Sequence, residues 1–268
     1  MFSLILGLAA AAVDTAPAKP GWAVDGAGTR CTLSRSADAQ TVLLRTYPGT
    51  GSYDLMLVAP GLAKQFQGSR PKPFSLVFGP AGTAFHRTAA PIPLQGNLGT
   101  AAAFNGLQRD VLDAMAKAET LGLDIDRTEI ASFPIPQANK AVAALAYCEQ
   151  AKLQEWGADP AAFAPGATAA KATGNPAAWL TAKDLGKAGK GKGGFAVLRL
   201  SVATDGSVSN CAPLEANNPA LDTLACPALS ARAHYEPARD PSGHAIVSVV
   251  LYIASWPCPD CVTVDAIG

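Results

Sequence analysis

Alternating apolar and polar residues predict short β-strands through the first half of the chain. Apolar runs at Thr41–Thr46 and Tyr53–Val58 flank a Pro-Gly-Thr-Gly turn, which is typical of a hairpin. Phe74–Phe78 alternates with the period of a strand, and we expect another strand at Leu123–Asp126. The region that begins at Trp22 is therefore predicted to be rich in β-structure.

Two segments of this region have the spacing of apolar residues, three and four positions apart, that predicts an α-helix. In the first, the apolar positions run from Phe104 to Ala118, and Gly122 is expected to end the helix. The second helix is predicted from Gln137 to about Trp156. We therefore expect two helices to pack on the strands.

A different order of elements is predicted near the C-terminus. Phe195–Val202 alternates as a strand, and the Asp-Gly turn that follows it is the strongest short hairpin signal. Pro219–Ala231 is predicted to be a helix that Pro227 interrupts or kinks, and Ala245–Ile253 is predicted to be a long strand. The order strand, strand, helix, strand predicts a ββαβ unit with one helix on an antiparallel sheet.

These patterns together predict an α+β protein in several parts. The stretch between the two folded regions is rich in Ala, Pro, Gly and Lys, which is typical of a linker. The predicted parts are a signal peptide at 1–18, a β-rich exported domain with two helices at 19–158, a linker at 159–193, the ββαβ unit at 194–257 and a tail at 258–268.

The first residues predict export. Phe2–Val13 is an unbroken apolar run of 12 residues, whereas a membrane-spanning helix needs about 20. Ala16-Pro17-Ala18 offers a site for signal peptidase, although no Lys or Arg precedes the run. We expect a periplasmic protein, or one tethered to the inner membrane if the segment is retained. The alternative is an apolar helix packed on the fold.

Charge excludes one class of function. The chain of 268 residues has 21 basic and 21 acidic side chains, so its formal net charge is zero. Binding to nucleic acid requires a surplus of Lys and Arg on one surface. No nucleic-acid partner is therefore predicted.

The cysteines agree with export, because an even number in an oxidising compartment usually forms disulfides. Six cysteines allow about 15 pairings, and their spacing does not choose among them. Free buried thiols are the alternative. Cys148 lies on the apolar face of its predicted helix and can meet a strand residue such as Cys31. The cysteines are Cys31, Cys148, Cys211, Cys226, Cys258 and Cys261.

Motifs for catalysis are weak. Cys258 and Cys261 have the spacing of a thiol oxidoreductase, but no helix pattern follows them, which favours a local disulfide. Gly189-x-Gly191-x-x-Gly194 matches a dinucleotide fingerprint, yet it follows a linker and opens a strand. No serine hydrolase or zincin motif occurs. We therefore predict no catalytic residue, cofactor, metal or small-molecule substrate, and no enzyme; an envelope thiol oxidoreductase is the alternative.

The C-terminal unit carries a family resemblance in its ordered motifs. They are Val197–Val202 with Asp205-Gly206, Leu221-Asp222 at the helix, Glu236-Pro237-Ala238, and the closing strand Val247–Trp256. This combination resembles the C-terminal domain of the TonB family of periplasmic energy transducers, over about a quarter of the chain. Cys211 and Cys226 resemble a disulfide found in a subset of these domains.

The first half carries a second resemblance. Trp22, Cys31, Cys148 and the ending Trp156-Gly-Ala-Asp159 resemble an exported β-rich domain of the invasion-associated locus B type.

The TonB resemblance implies a protein-binding function. In that family an edge strand accepts an extended segment of an outer-membrane receptor, which is recognition by strand addition. We expect the last strand to supply this edge, with a TonB-dependent receptor as the partner and a homodimer through the same edge as an alternative. The predicted partner-binding residues are Ile246, Val247, Ser248, Val249, Val250, Leu251, Tyr252 and Ile253.

The chain also departs from the TonB pattern. Full transducers resemble one another in a signal-anchor helix and a long Pro-rich rod. Here the apolar run is too short and contains no His, and a linker of 35 residues extends to roughly 100 Å at about 3 Å per residue. Energy transduction is therefore doubtful, and a structural envelope adaptor is a further alternative.

Overall fold

The computed structural model of the chain describes residues 21–66, 70–94, 99–185, 194–216 and 219–256. Most of their regular structure is β. The strands of the first half are β1 (Trp22–Asp25), β2 (Cys31–Ala37), β3 (Gln40–Thr46), β4 (Tyr53–Val58), β5 (Lys72–Gly79), β6 (Thr83–Pro93), β7 (Thr100–Leu107), β8 (Thr120–Ile125) and β9 (Thr128–Pro134).

The described residues also contain seven later strands and four α-helices. The later strands are β10 (Lys171–Ala172), β11 (Gly194–Val202), β12 (Val208–Ala216), β13 (Tyr235–Glu236), β14 (Ala238–Arg239), β15 (Ala245–Ile246) and β16 (Ser248–Trp256). The helices are α1 (Arg109–Met115), α2 (Ala138–Glu155), α3 (Ala182–Leu185) and α4 (Pro219–Arg232). None of the helices in these ranges is long and apolar enough to cross a membrane.

The first nine strands form one curled antiparallel sheet, the N-terminal sheet, in the order β1-β2-β3-β4-β7-β6-β5-β8-β9. Its last strand, β9, is covered by donors from the other end. Arg35 Nε donates to the carbonyl of Pro134 at 3.1 Å, and Gln40 Nε2 donates to that of Ser132 at 2.9 Å. The indole of Trp22 donates to a carbonyl just past β9. Side chains therefore satisfy carbonyl groups that an edge strand would leave open.

The core of this half lies inside the curl and under α2. Alternate residues of β3, β4 and β5 are buried, which confirms the period-two interpretation for these strands. The helix predicted near 137–156 is confirmed as α2, and a disulfide between Cys31 and Cys148 joins it to β2. The largest fully buried side chains are Phe78, Phe104, Phe133, Leu33, Leu44, Leu55, Leu57, Leu62, Leu76, Leu107, Leu112 and Leu121.

Both ends of the first helix were predicted wrongly. Phe104 and Leu107 belong to β7, α1 spans only Arg109–Met115, and Gly122 lies in β8. The inner strand β7 has several consecutive buried residues, so its apolar pattern cannot be distinguished by periodicity alone from one face of a helix.

The predicted α+β class with a C-terminal ββαβ unit is also wrong. The chain is mostly β, and three two-residue strands stand between α4 and the final strand. β13 pairs with β10, which lies in the predicted linker, and β14 pairs with β15. Strands of two residues are too short to show any periodicity, so the sequence pattern indicated a simple return from the helix to the last strand.

β12, β11 and β16 form a second antiparallel sheet in that order, the C-terminal sheet. One face packs against α4, where Ala225 and Leu229 are fully buried. The helix continues through Pro227 instead of ending there. A disulfide between Cys211 and Cys226 joins β12 to α4.

Residues of the predicted linker pack on the C-terminal sheet. Trp179 is buried, and its ring centroid lies 5.3 Å from that of Tyr235 and 6.2 Å from that of Tyr252. The Tyr252 hydroxyl donates to the carbonyl of Pro176 at 3.0 Å. This part of the segment therefore contributes to the core around β16.

Candidate functional site

The outer edge of β16 is the first candidate site. β16 pairs with β11 from Ser248 to Trp256, and no other strand of the described chain pairs with it on the opposite side. It is nine residues long. An unpaired strand of this length presents a row of backbone N–H and C=O groups that another chain can bind.

Both faces of β16 are packed, so its side chains hold it in place. Tyr252 and Ala254 are buried in the core that includes Trp179 and α4. On the other face, Val249 packs against Leu153 and Ala158, at the end of α2. A strand fixed on both faces keeps its edge preorganised, which lowers the entropic cost of adding a further strand.

The structure places the predicted partner-binding residues in two groups. Ser248–Ile253 lie in β16, on the open edge. Ile246 lies instead in β15, where it pairs with Ala238. Val247 lies between the two strands, and its carbonyl accepts a hydrogen bond from the backbone N–H of Asp159 at 3.0 Å. The open edge therefore begins after Val247.

The other edge of the C-terminal sheet is protected. β12 contains Pro213, which has no N–H to offer a partner strand, and α4 packs closely against β12. The disulfide at Cys211 fixes the strand to this helix. β16 is therefore the more accessible edge.

A cluster of polar side chains joins the two sheets at β12. Glu215 on β12 accepts a hydrogen bond from the Tyr47 hydroxyl at 2.7 Å and pairs with Arg30 at 3.0 Å. Arg30 also donates to the Tyr47 hydroxyl and lies over its ring, 4.3 Å from the centroid. Burial raises the pKa of Tyr47, and the hydrogen bond to Glu215 raises it further.

The same cluster changes the acidity of Glu215. Burial raises the pKa of this carboxyl, but hydrogen bonds from Tyr47 and Arg30 outweigh burial and lower it. Glu215 and Ile253 both lie opposite Val197 in the C-terminal sheet. The cluster therefore lies in the same cross-strand row as one end of the candidate edge.

A cavity of about 280 Å³ lies next to Ile253, between the N-terminal sheet and β16. Charged and polar side chains from β3, β4, β7 and the turn between β3 and β4 form most of its wall. The lining residues are Arg30, Arg45, Thr46, Tyr47, Thr50, Ser52, Asp54, Asn105, Gly106 and Ile253.

Sequence reasoning did not identify Arg30, Arg45, Tyr47, Asp54 or Glu215. Each is an isolated polar residue without a motif. The predicted hairpin of β3 and β4 carried a usable signal, because its register places Arg45 directly opposite Asp54.

The remaining predicted features lie outside the site or outside the described residues. Cys258 and Cys261, the candidate redox pair, and residues 1–18 are not among the residues described. Within the described ranges, no group of three or more His, Cys, Asp or Glu side chains is arranged to hold a metal ion.

Comparison with known proteins found no matching family model, no matching curated protein and no matching solved structure.

Proposed function

We propose that this protein is an exported binding module that pairs an extended segment of a partner protein with the outer edge of β16. The observation that carries the proposal is an unpaired strand of nine residues whose two faces are both packed. Such a strand loses little conformational entropy on binding, and the backbone N–H and C=O groups on its outer edge need hydrogen-bond partners. Strand addition satisfies them without any change in the core.

The packing of β16 determines the kind of recognition. Ser248, Val249, Leu251 and Tyr252 are buried, so they are not free to form pockets for partner side chains. Affinity would come mainly from backbone hydrogen bonds, each contributing about 0.5–1.5 kcal/mol. Side chains that are only partly buried, such as Ile253, would add selectivity.

The proposed partner is an outer-membrane receptor or another envelope protein with an extended periplasmic segment. Two disulfides, Cys31–Cys148 and Cys211–Cys226, support a location in an oxidising compartment. The unpaired edge of β16 and the motifs that resemble the TonB family support a receptor segment as the ligand.

The test uses the disulfide-bonded protein and synthetic peptides from the periplasmic segments of outer-membrane receptors. We expect a peptide to bind with a Kd below about 1 mM, and the backbone amides of β16 to gain protection from hydrogen exchange on binding. The amides of β12 should not change.

A pair of modified peptides provides the control. Each peptide carries N-methyl groups on alternate residues of the sequence that binds. The methylated residues are the even-numbered ones in one peptide and the odd-numbered ones in the other, so all side chains stay the same. One peptide should not bind because it lacks the N–H groups that face β16, whereas the other should bind nearly normally. Equal binding by both peptides, or no binding below about 1 mM, would rule out strand addition.

A further inference from the structure

Two oppositely charged side chains in the wall of the cavity beside Ile253 are not paired with each other. Arg45 on β3 and Asp54 on β4 are direct cross-strand neighbours, and both line the cavity. Neither takes part in an ion pair within the described chain. Arg45 instead directs a terminal nitrogen to the sulfur of Met56, at 3.4 Å. The two charges therefore remain separate.

The Arg45 side chain has an unsatisfied donor. Its Nε is buried and has no hydrogen-bond partner. A buried donor without a partner costs free energy, and a charged donor costs more than a neutral one. The second arginine of the cavity, Arg30, is already paired with Glu215. Arg45 is therefore the arginine in this wall whose charge is uncompensated.

A β-bulge shapes the opposite wall. Tyr53 pairs with Leu107 and Leu55 with Phe104, so two residues of β7 lie opposite Asp54 alone. Bulges occur often beside functional sites, because they redirect side chains.

The bulge holds the Asp54 carboxylate in position. Gly106, one of its two residues, has a φ of 68°, a conformation that glycine adopts without strain. Its N–H donates to one oxygen of Asp54 at 3.3 Å. The other oxygen of Asp54 makes no hydrogen bond within the described chain, and neither does the side chain of Asn105 or Ser52.

We propose that this cavity binds a small zwitterion that carries one carboxylate and one ammonium group, such as a free amino acid. The carboxylate accepts hydrogen bonds from Arg45, and the ammonium group donates to Asp54. A ligand with only one charge would leave either Arg45 or Asp54 without a partner, which carries a desolvation cost. The volume of about 280 Å³ lies just below the range of drug-sized ligands, which begins near 300 Å³.

This proposal does not depend on strand addition at β16. The residues that would hold the ligand belong to the N-terminal sheet, and only Ile253 comes from β16.

Isothermal titration calorimetry of the full chain against the 20 common amino acids tests the proposal. We expect at least one of them to bind with a Kd below about 10 mM. For the best ligand, the deaminated acid and the decarboxylated amine should each bind at least about tenfold more weakly, because each loses one charged contact.

Two substitutions locate the site. Arg45→Gln and Asp54→Asn should each weaken binding of the amino acid at least about tenfold. Arg45→Gln should remove the contact with the carboxylate of the ligand, and Asp54→Asn the contact with its ammonium group. Thus Asp54→Asn should change the affinity for the deaminated acid little. Arg87→Gln and Asp113→Asn, which remove charges outside the cavity, are the matched controls. Circular dichroism and thermal unfolding without ligand confirm that each variant folds.

The proposal is overturned if no amino acid binds below about 10 mM. It is also overturned if the deaminated acid or the decarboxylated amine binds as tightly as the amino acid, or if either cavity variant binds it as tightly as its control does.

Discussion

Tyr47, directly after β3 of the N-terminal sheet, donates a hydrogen bond to Glu215 on the C-terminal sheet, and the 2.7 Å contact joins residues 168 positions apart. Replacing Tyr47 by Phe removes this hydroxyl and keeps the ring that lies under Arg30. We expect the free energy of unfolding to fall by about 1–2 kcal/mol, as measured by urea denaturation, since a charged acceptor loses its donor.

A matched control for Tyr47→Phe is Tyr147→Phe, because Tyr147 is 73% exposed. The control should change the stability by less than about 0.5 kcal/mol. A double-mutant cycle with Glu215→Gln should show a coupling of at least about 0.5 kcal/mol. If the two substitutions are additive, the contact does not stabilise the junction between the sheets.

A second prediction concerns Glu149, which lies on α2 next to a disulfide. Burial raises the pKa of this carboxyl above its ordinary value of 4.5, and hydrogen bonds, including one from Tyr53, only partly offset the effect of burial. The folded chain therefore binds a proton here more strongly than the unfolded chain. The free energy of unfolding should decrease as the pH rises from the ordinary value of 4.5 through the raised pKa.

Chemical denaturation between pH 5 and 8 measures this dependence against Glu149→Gln, which removes the titration. The slope of the stability with pH should be less negative in this variant. Glu155→Gln provides the control, because Glu155 is on the same helix with its side chain 62% exposed. A slope in Glu149→Gln identical to that of the unmodified protein would contradict the assignment.

The third prediction compares two glycines in turns. Gly206 has a φ of 84°, and a Cβ placed on it would lie 1.9 Å from the backbone oxygen of Tyr235. Gly243 has a φ of 86°, but a Cβ there would meet nothing within 4 Å. Gly243→Ala should therefore cost only the strain of a positive φ, about 1–2 kcal/mol.

Gly206→Ala should cost about 1–3 kcal/mol more than Gly243→Ala, because the backbone of Tyr235 must also move. Thermal and urea unfolding of the two variants give the comparison. Equal stability of the two variants would show that the approach of Gly206 to Tyr235 is not a tight constraint.

The sequence was most informative where one residue pattern corresponds to one structure. Alternation identified β3, β4 and β5, since every second side chain points into the same core. It failed at β7, where consecutive residues such as Ala103 and Phe104 are buried. It also missed β13, β14 and β15, because two residues cannot show a period.

The candidate sites were predictable only in part. The last strand stood out because it is long and apolar, so its edge could be suggested from the sequence. The cavity could not, because it depends on how Arg45, Asp54 and the bulge at Gly106 come together from three strands. Whether Arg45 keeps a free Nε depends on side-chain directions that spacing alone does not determine.

The covering of β9 by Arg35, Gln40 and Trp22 limits how this molecule can assemble. That end of the N-terminal sheet is sealed, and the strand at its other end, β1, has only four residues. Among the described strands, β16 is the long edge that stays open, so pairing through it leaves no second long open edge in this part of the chain. Self-association through β16 would therefore favour a closed pair over a growing filament.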